Sequence, residues 1–307
     1  MSVCLTLSNK VSDESWKKKV PPIDGFGTEG IGSMMQYHLL LGFLSDSLGV
    51  DFTYPGSTNF AHYSYTGSSA EEYFQSIDRF FNLPNLEQEW DEIISVSEIT
   101  KDLLSHIEGS KSDDKKTLIN LLNCHRQIED ICRQNMSDIF TYDRVFKIKN
   151  NLLFDGKKYF EEGLNVSLHL RTANPNDLPQ EISSPLRELY VFEKDFIRYE
   201  NLVNSLKTNI EQKQIILHIH SQGFTTDFSE FLKLKTDEFK IKLHIDDHPT
   251  SDIYHMANAD LLIMSNSSFS WIASLLNPNQ KIVRDNFTNG SFVHNSLKTN
   301  YDYTFFN

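Results

Sequence analysis

From residue 164 onward the chain alternates short apolar runs with helical stretches, and that alternation limits the fold more than any other feature. The runs at 165–170, 214–220, 240–245, 260–264 and 281–284 are rich in Ile, Leu and Val, and helical spacing fills the gaps at 187–209, 225–234, 251–258 and 268–276. Strands that read apolar on both faces and are separated by helices belong to a parallel sheet covered on both sides. The expected class is therefore α/β.

A chain of 307 residues exceeds what one core organises and points to about two domains. The first half has its own texture. A strand is expected at 3–7, then a Lys-rich polar run, then a glycine-rich loop over 24–32 that opens a helix through Met34, Met35, His38, Leu39 and Leu41 and ends near Gly49. A second strand is expected at 50–54. Residues 69–136 read as mainly helical, with Leu118, Leu121, Leu122, His125 and Ile128 on a 3.6-residue period. The expectation is two Rossmann-like domains facing a cleft, a helix-rich one over 1–155 and a second over 156–307.

The formal charge is −13, which repels a phosphate backbone and argues against nucleic acid as a partner. A single small anion can still be held where an Arg, backbone N–H groups and a helix start converge. Cys4, Cys124 and Cys132 are an odd number without disulfide or zinc spacing, as in a reducing compartment. No run approaches the roughly 18–20 apolar residues of a membrane span. The reading is a cytoplasmic protein without a membrane span, and the Asn-X-Ser/Thr matches are products of composition.

Four constellations carry candidate chemistry. Residues 166–171 form a strand ending in His169 and Arg171, at the carboxyl end where ligands of open α/β sheets sit. A guanidinium fixed there clamps a diphosphate and offsets the charge that builds as a bond to it breaks; the alternative is an ion pair between domains, with His169 an ordinary hydrogen-bonded strand residue. Residues 259–271 run from an apolar strand through Ser265, Asn266, Ser267 and Ser268 into a helix. Hydroxyls and free N–H groups at such a helix start favour an anion, although a plain N-cap needs one serine only.

The third is Asp252, after Thr250 and Ser251 at a helix start; it suits either the edge of a guanine base or the helix dipole. The fourth is Gly25-X-Gly27-X-X-Gly30, with Asp46 and Asp51 about twenty residues on. A dinucleotide fingerprint requires a strand directly before the first Gly, and Pro21 and Pro22 stand there instead. A loop that lets a sugar or the other domain approach the backbone is the preferred reading, with an NAD-dependent oxidoreductase as the alternative.

These residues, taken in order, resemble the GT-B fucosyltransferase-like superfamily of glycosyltransferases, chiefly over 164–285. The resemblance rests on His169 and Arg171 at a strand end, Asp252-Ile253, Ala259-Asp260 with its apolar run, and Ser267-Ser268, with weaker support from residues 24–36. It is similar also to glycosyltransferases encoded by large algal viruses. The resemblance implies an inverting transfer that uses no metal or other cofactor, from a nucleoside diphosphate sugar to a hydroxyl of a glycan or glycoprotein. Fucose on GDP is the first choice of donor and a UDP-linked pentose such as xylose the second.

By the same resemblance Arg171 stabilises the leaving phosphate, His169 and Asp252 contact the base, and Ser267, Ser268 and Phe269 line the donor pocket, to which the hydroxyl-rich turn adds Ser265. Gly25, Gly27 and Gly30 form an acceptor-side loop, in which Thr28-Glu29 departs from the Asn-Gln of the fucosyltransferase pattern. An inverting transfer needs one base at the acceptor hydroxyl. Asp177, Glu29 and Asp24 are the candidates.

Overall fold

A computed structural model describes residues 3–8, 31–54, 69–84, 89–110, 114–171, 214–222, 228–237, 239–265, 267–284 and 303–306. The described chain divides after Leu153 into two compact units. Each is a parallel sheet with helices.

The first unit runs β1 (Val3–Ser8), α1 (Ile31–Leu48), β2 (Asp51–Phe52), α2 (Ala70–Phe81), β3 (Glu92–Val96), α3 (Lys101–Gly109), β4 (Thr117–Leu122), α4 (His125–Gln134), α5 (Met136–Ile139) and α6 (Tyr142–Asn150). Its sheet order is β2-β1-β4-β3, parallel throughout. From Leu39 to Leu44 α1 is apolar on every side and buried, as suits a helix enclosed in a core. It packs on β1 and against α4, where the Cys132 thiol donates to the Leu40 carbonyl at 3.7 Å. All three cysteines are buried and free, and burial pushes the thiol of Cys4 up to about 12.

One expectation fails here. Leu118, Leu121 and Leu122 lie on the central strand β4, whose six residues are all buried, and not on a helix. A strand covered on both faces loses the two-residue alternation that marks a strand, so Thr-Leu-Ile-Asn-Leu-Leu fits either period. The helix begins only at His125, after Asn123 turns the chain at φ 55°.

The second unit runs β5 (Leu164–His169), β6 (Ile215–Ser221), α7 (Ser229–Leu232), β7 (Phe239–Ile245), α8 (Pro249–Asn258), β8 (Leu261–Ile263), α9 (Ser268–Leu276), β9 (Gln280–Arg284) and β10 (Tyr303–Phe306). Its order is β10-β9-β8-β5-β6-β7, again parallel. Successive side chains on a strand point to opposite faces, and the two faces differ in chemistry. Val166, Leu168, Leu217, Ile219, Ile241 and Ile263 form an aliphatic face covered by Phe228 and Phe231. The residues between them, Asn165, Ser167, His169, His218, His220 and His244, form a buried polar face.

That polar face is covered by α8 and by the segment before β5, through Tyr159 and Phe160. Asn165 and Asp260 fix the lower end of β5 and β8, since the Asn165 N–H donates to the Asp260 carboxylate at 2.8 Å and the Asp260 N–H to the Asn165 carbonyl at 3.0 Å. Gly163 leads into β5 at φ 127°, where a Cβ would lie 2.4 Å from the Gln214 carbonyl oxygen. Replacing it forces both a disfavoured backbone and a clash with backbone. Gly163→Ala is expected to cost about 1–3 kcal/mol, seen as a lower urea midpoint; an unchanged midpoint contradicts this account of the entry into β5.

Candidate functional site

Strand β5 is the first of its unit and sits inside the sheet, with β6 and β7 added on one side and β8, β9 and β10 on the other. The chain reverses its direction of winding between β5 and β8, and in open α/β sheets the ligand crevice opens outside the carboxyl ends at that point. The register Leu168↔Ile263 sets the tip of β5, with His169 and Arg171, beside the tip of β8, with Ser265. His169 Nδ1 and the Ser265 hydroxyl are 2.6 Å apart. The two tips are thus joined across the switch point.

The serines after β8 divide the work among themselves. Ser265 bonds His169, and Ser267 is the N-cap of α9, accepting the Phe269 N–H at 3.2 Å. Ser270 staples the turn by donating to the carbonyls of Ser265 and Ser267 at 3.0 and 3.1 Å. Ser268 and Phe269 stay half-buried at the helix start, with the Phe269 ring 5.4 Å from His169. Arg171 is half-buried after β5. A buried imidazole, a guanidinium, serine hydroxyls and the start of a helix therefore gather at the carboxyl tips of β5 and β8, a donor-rich set suited to a phosphate.

His169 is uncharged. Burial, then Arg171 and His220 alongside, lower it to about 3. With the Ser265 hydroxyl donating to Nδ1, the neutral ring has its proton on Nε2; with the roles reversed, Nε2 carries the lone pair.

Asp252 lies in the first turn of α8, which starts earlier than the sequence suggests, with Pro249 in its first turn and His248 as cap. Pro at that position needs no amide and is preset for a helix. The carboxylate is buried and bonded to His220 Nδ1 at 2.7 Å, while His220 Nε2 lies 3.3 Å from the Ser167 hydroxyl. Burial, and after it Asp247, push the Asp252 carboxyl well up; burial lowers His220 to about 3. Ser167 and His220 are wholly buried in mid-sheet, so this serine–histidine–aspartate chain fastens α8 to the sheet and offers no nucleophile to a substrate.

Asp24, Gly25, Gly27, Glu29, Gly30, Asp177 and Asn266 lie outside the described residues. Asp46, the first acid after the glycine cluster, accepts from Arg144 Nε at 2.8 Å and Lys147 Nζ at 2.5 Å and so ties α1 to α6. That engagement removes the motive for assigning it a ribose hydroxyl. Among the described residues no group of three or more His, Cys, Asp or Glu is arranged to hold a metal ion, and no helix is long and apolar enough to cross a membrane.

Sequence reasoning missed the histidines of the polar face. The signal was the two-residue spacing of His218 and His220 on one strand and Lys242 and His244 on the next. No protein-family model matches the chain, and no curated protein matches it. Among solved structures it is similar to NodZ alpha-1,6-fucosyltransferase soaked with GDP-fucose, at 9% identity over 90% of this chain and 93% of that one, with a TM-score of 0.40. A likeness at that level carries no argument about function.

The buried imidazoles have a consequence for stability. His169, His218, His220 and His255 are all lowered, the first cause being burial in each, to between about 2 and about 4. Groups whose folded pKa lies below the unfolded value stabilise the fold above about pH 6.5 and lose that contribution as pH falls toward the folded values. The melting temperature is expected to drop steeply between pH 6.5 and 4; a flat profile there contradicts the burial of neutral rings.

Proposed function

We propose that the chain is a glycosyltransferase that takes its sugar from a nucleoside diphosphate donor held where β5 meets β8. The observation that supports this reading is the contact between His169 and Ser265, which brings the strand end before Arg171 beside the turn that leads into α9. Cleavage of a glycosyl diphosphate leaves two or more negative charges on the departing group, and a catalyst must meet them where they develop. In this reading the Arg171 guanidinium and the N–H groups of α9 do so. His169 donates to the donor from Nε2, and Phe269 supplies an apolar wall.

The finer assignments follow the motif order of residues 169–171, 252–253 and 259–268. They are a single inverting displacement, GDP-fucose before a UDP-linked pentose, a glycan or glycoprotein acceptor, Asp177, Glu29 or Asp24 as base, and work in the cytoplasm. A guanine edge read by Asp252 requires the oxygen not bonded to His220. The domains 1–155 and 156–307 would contribute acceptor and donor sides respectively, with Gly25, Gly27 and Gly30 toward the acceptor.

The test is thermal shift and calorimetric titration with GDP, GDP-fucose, UDP and UDP-xylose, because a ligand of the native state raises the melting temperature without knowledge of the acceptor. One of the four is expected to bind, and Arg171→Ala to lose about tenfold or more in affinity while keeping the fold, since charge-assisted bonds contribute roughly 1.5–3 kcal/mol. No binding by any nucleotide, or wild-type affinity in Arg171→Ala, refutes the assignment.

A further inference from the structure

His218, His220, His244 and His255 form one stack between the sheet and α8, with ring centroids 5.3 Å apart for His218 and His244, 4.8 Å for His220 and His244, and 6.3 Å for His244 and His255. Where such rings end on groups whose donor or acceptor character is fixed, their protons can be counted. Two ends here are fixed by backbone groups.

His255 Nε2 faces the Tyr159 N–H at 3.0 Å, so that nitrogen carries the lone pair, and Nδ1–H donates to the Ser251 carbonyl at 2.7 Å. His255 is neutral, and adding a proton sets one N–H against another. Asn165 fixes the second end. Its Oδ1 accepts the Glu161 N–H at 3.2 Å and its Nδ2 donates to the Glu161 carbonyl at 2.9 Å, which settles which way the amide points. His218 Nε2 lies 3.1 Å from that Oδ1 and must be the donor.

The chain continues from His218 Nδ1 to His244 Nε2 at 3.0 Å and from His244 Nδ1 to Asp247 Oδ2 at 3.2 Å. From Asn165 to Asp247 there are three contacts, each needing one proton, and two neutral rings supply only two. A neutral chain therefore leaves one of the three contacts without a proton. The His220 chain has no such shortage, because the Ser167 hydroxyl donates or accepts as required.

We propose that the third proton is held at neutral pH as an imidazolium on His244 paired with Asp247, and that this pair locks the turn between β7 and α8. Burial first, and then His220, lower the His244 pKa against the opposing pull of Asp252 and Asp247, so the charge is assigned on the proton count and against that direction. An imidazolium at His244 beside a carboxylate fills all three contacts, whereas a neutral His244 leaves lone pair against lone pair either at Asp247 or at His218. The turn it holds is strained, with Asp246 at φ 56°, and leads directly to the cap of α8.

Among the described residues, the other groups around His244 are these. On its own strand Lys242 is engaged by Glu161 and by the Tyr159 carbonyl. Asn165 and Ser167 face the stack from β5 and His220 from β6, Asp246 and His248 flank Asp247 in the turn, and Asp252 and His255 face it from α8. Lys157 and Lys158 lie over the rings of Tyr159 and Tyr254 in the cover.

Helix α8 is thereby fastened only within a window of pH. The acid limit is protonation of His255, and the alkaline limit is loss of the His244 proton, a contribution present at low pH and lost as pH rises through the folded value. Nitrogen NMR of histidine-labelled protein at pH 7 tests this. Both nitrogens of His244 are expected in the protonated range, with His218 as its Nε2–H and His255 as its Nδ1–H tautomer.

In Asp247→Asn the amide donates to His244 Nδ1 and supplies the third proton, so His244 is expected to become neutral with its proton at Nε2. The alkaline fall in melting temperature seen in wild type is expected to vanish with it. A neutral His244 in wild type, a His244 still charged in Asp247→Asn, or identical alkaline profiles in the two proteins overturns the proposal.

Discussion

Everything in the second unit depends on β5 pairing with two strands that come later in the chain, β6 on one side and β8 on the other. That double pairing turns the direction of winding at β5, and the carboxyl tips at such a point are where open α/β sheets place their ligands. It also fixes the register His169↔His220↔His244, so that three imidazoles from three strands stand in a row on one face. The crevice and the histidine stack are two results of one arrangement of strands.

A sheet whose second face is made of Asn, Ser and His must satisfy every one of those groups, because a buried polar atom without a partner costs about 1–3 kcal/mol. The structure does so with long chains of bonds that end on backbone or on carboxylates at the start of α8. Asp252 and Asp247 thus hold helix and turn in place beside the crevice. Their position within the sheet's polar layer makes the geometry of the carboxyl edge sensitive to protonation, while the aliphatic face under Phe228 and Phe231 gives the unit its pH-independent core.

How much of this could be read in the sequence varied with how local the signal was. Strands β5 to β9 were readable because each is an apolar run between turn residues, and α9 because three serines precede an apolar helix. Strand β4 was misread since burial on both faces erases its alternation, and β3 escaped notice because its five residues alternate half-buried and exposed at a sheet edge. The histidine stack was hidden for another reason. His218, His244 and His255 become neighbours only through strand register and the docking of α8, and no spacing within one segment encodes that.

The central claim is that the crevice between the tips of β5 and β8 grips a diphosphate. It is tested most directly by soaking crystals of the protein with a nucleoside diphosphate and locating the phosphorus atoms. The account predicts them within hydrogen-bonding reach of Arg171 and of the N–H groups that start α9, with the His169 ring against the ligand. Density for the ligand elsewhere on the sheet, with that crevice filled by ordered water alone, would contradict it.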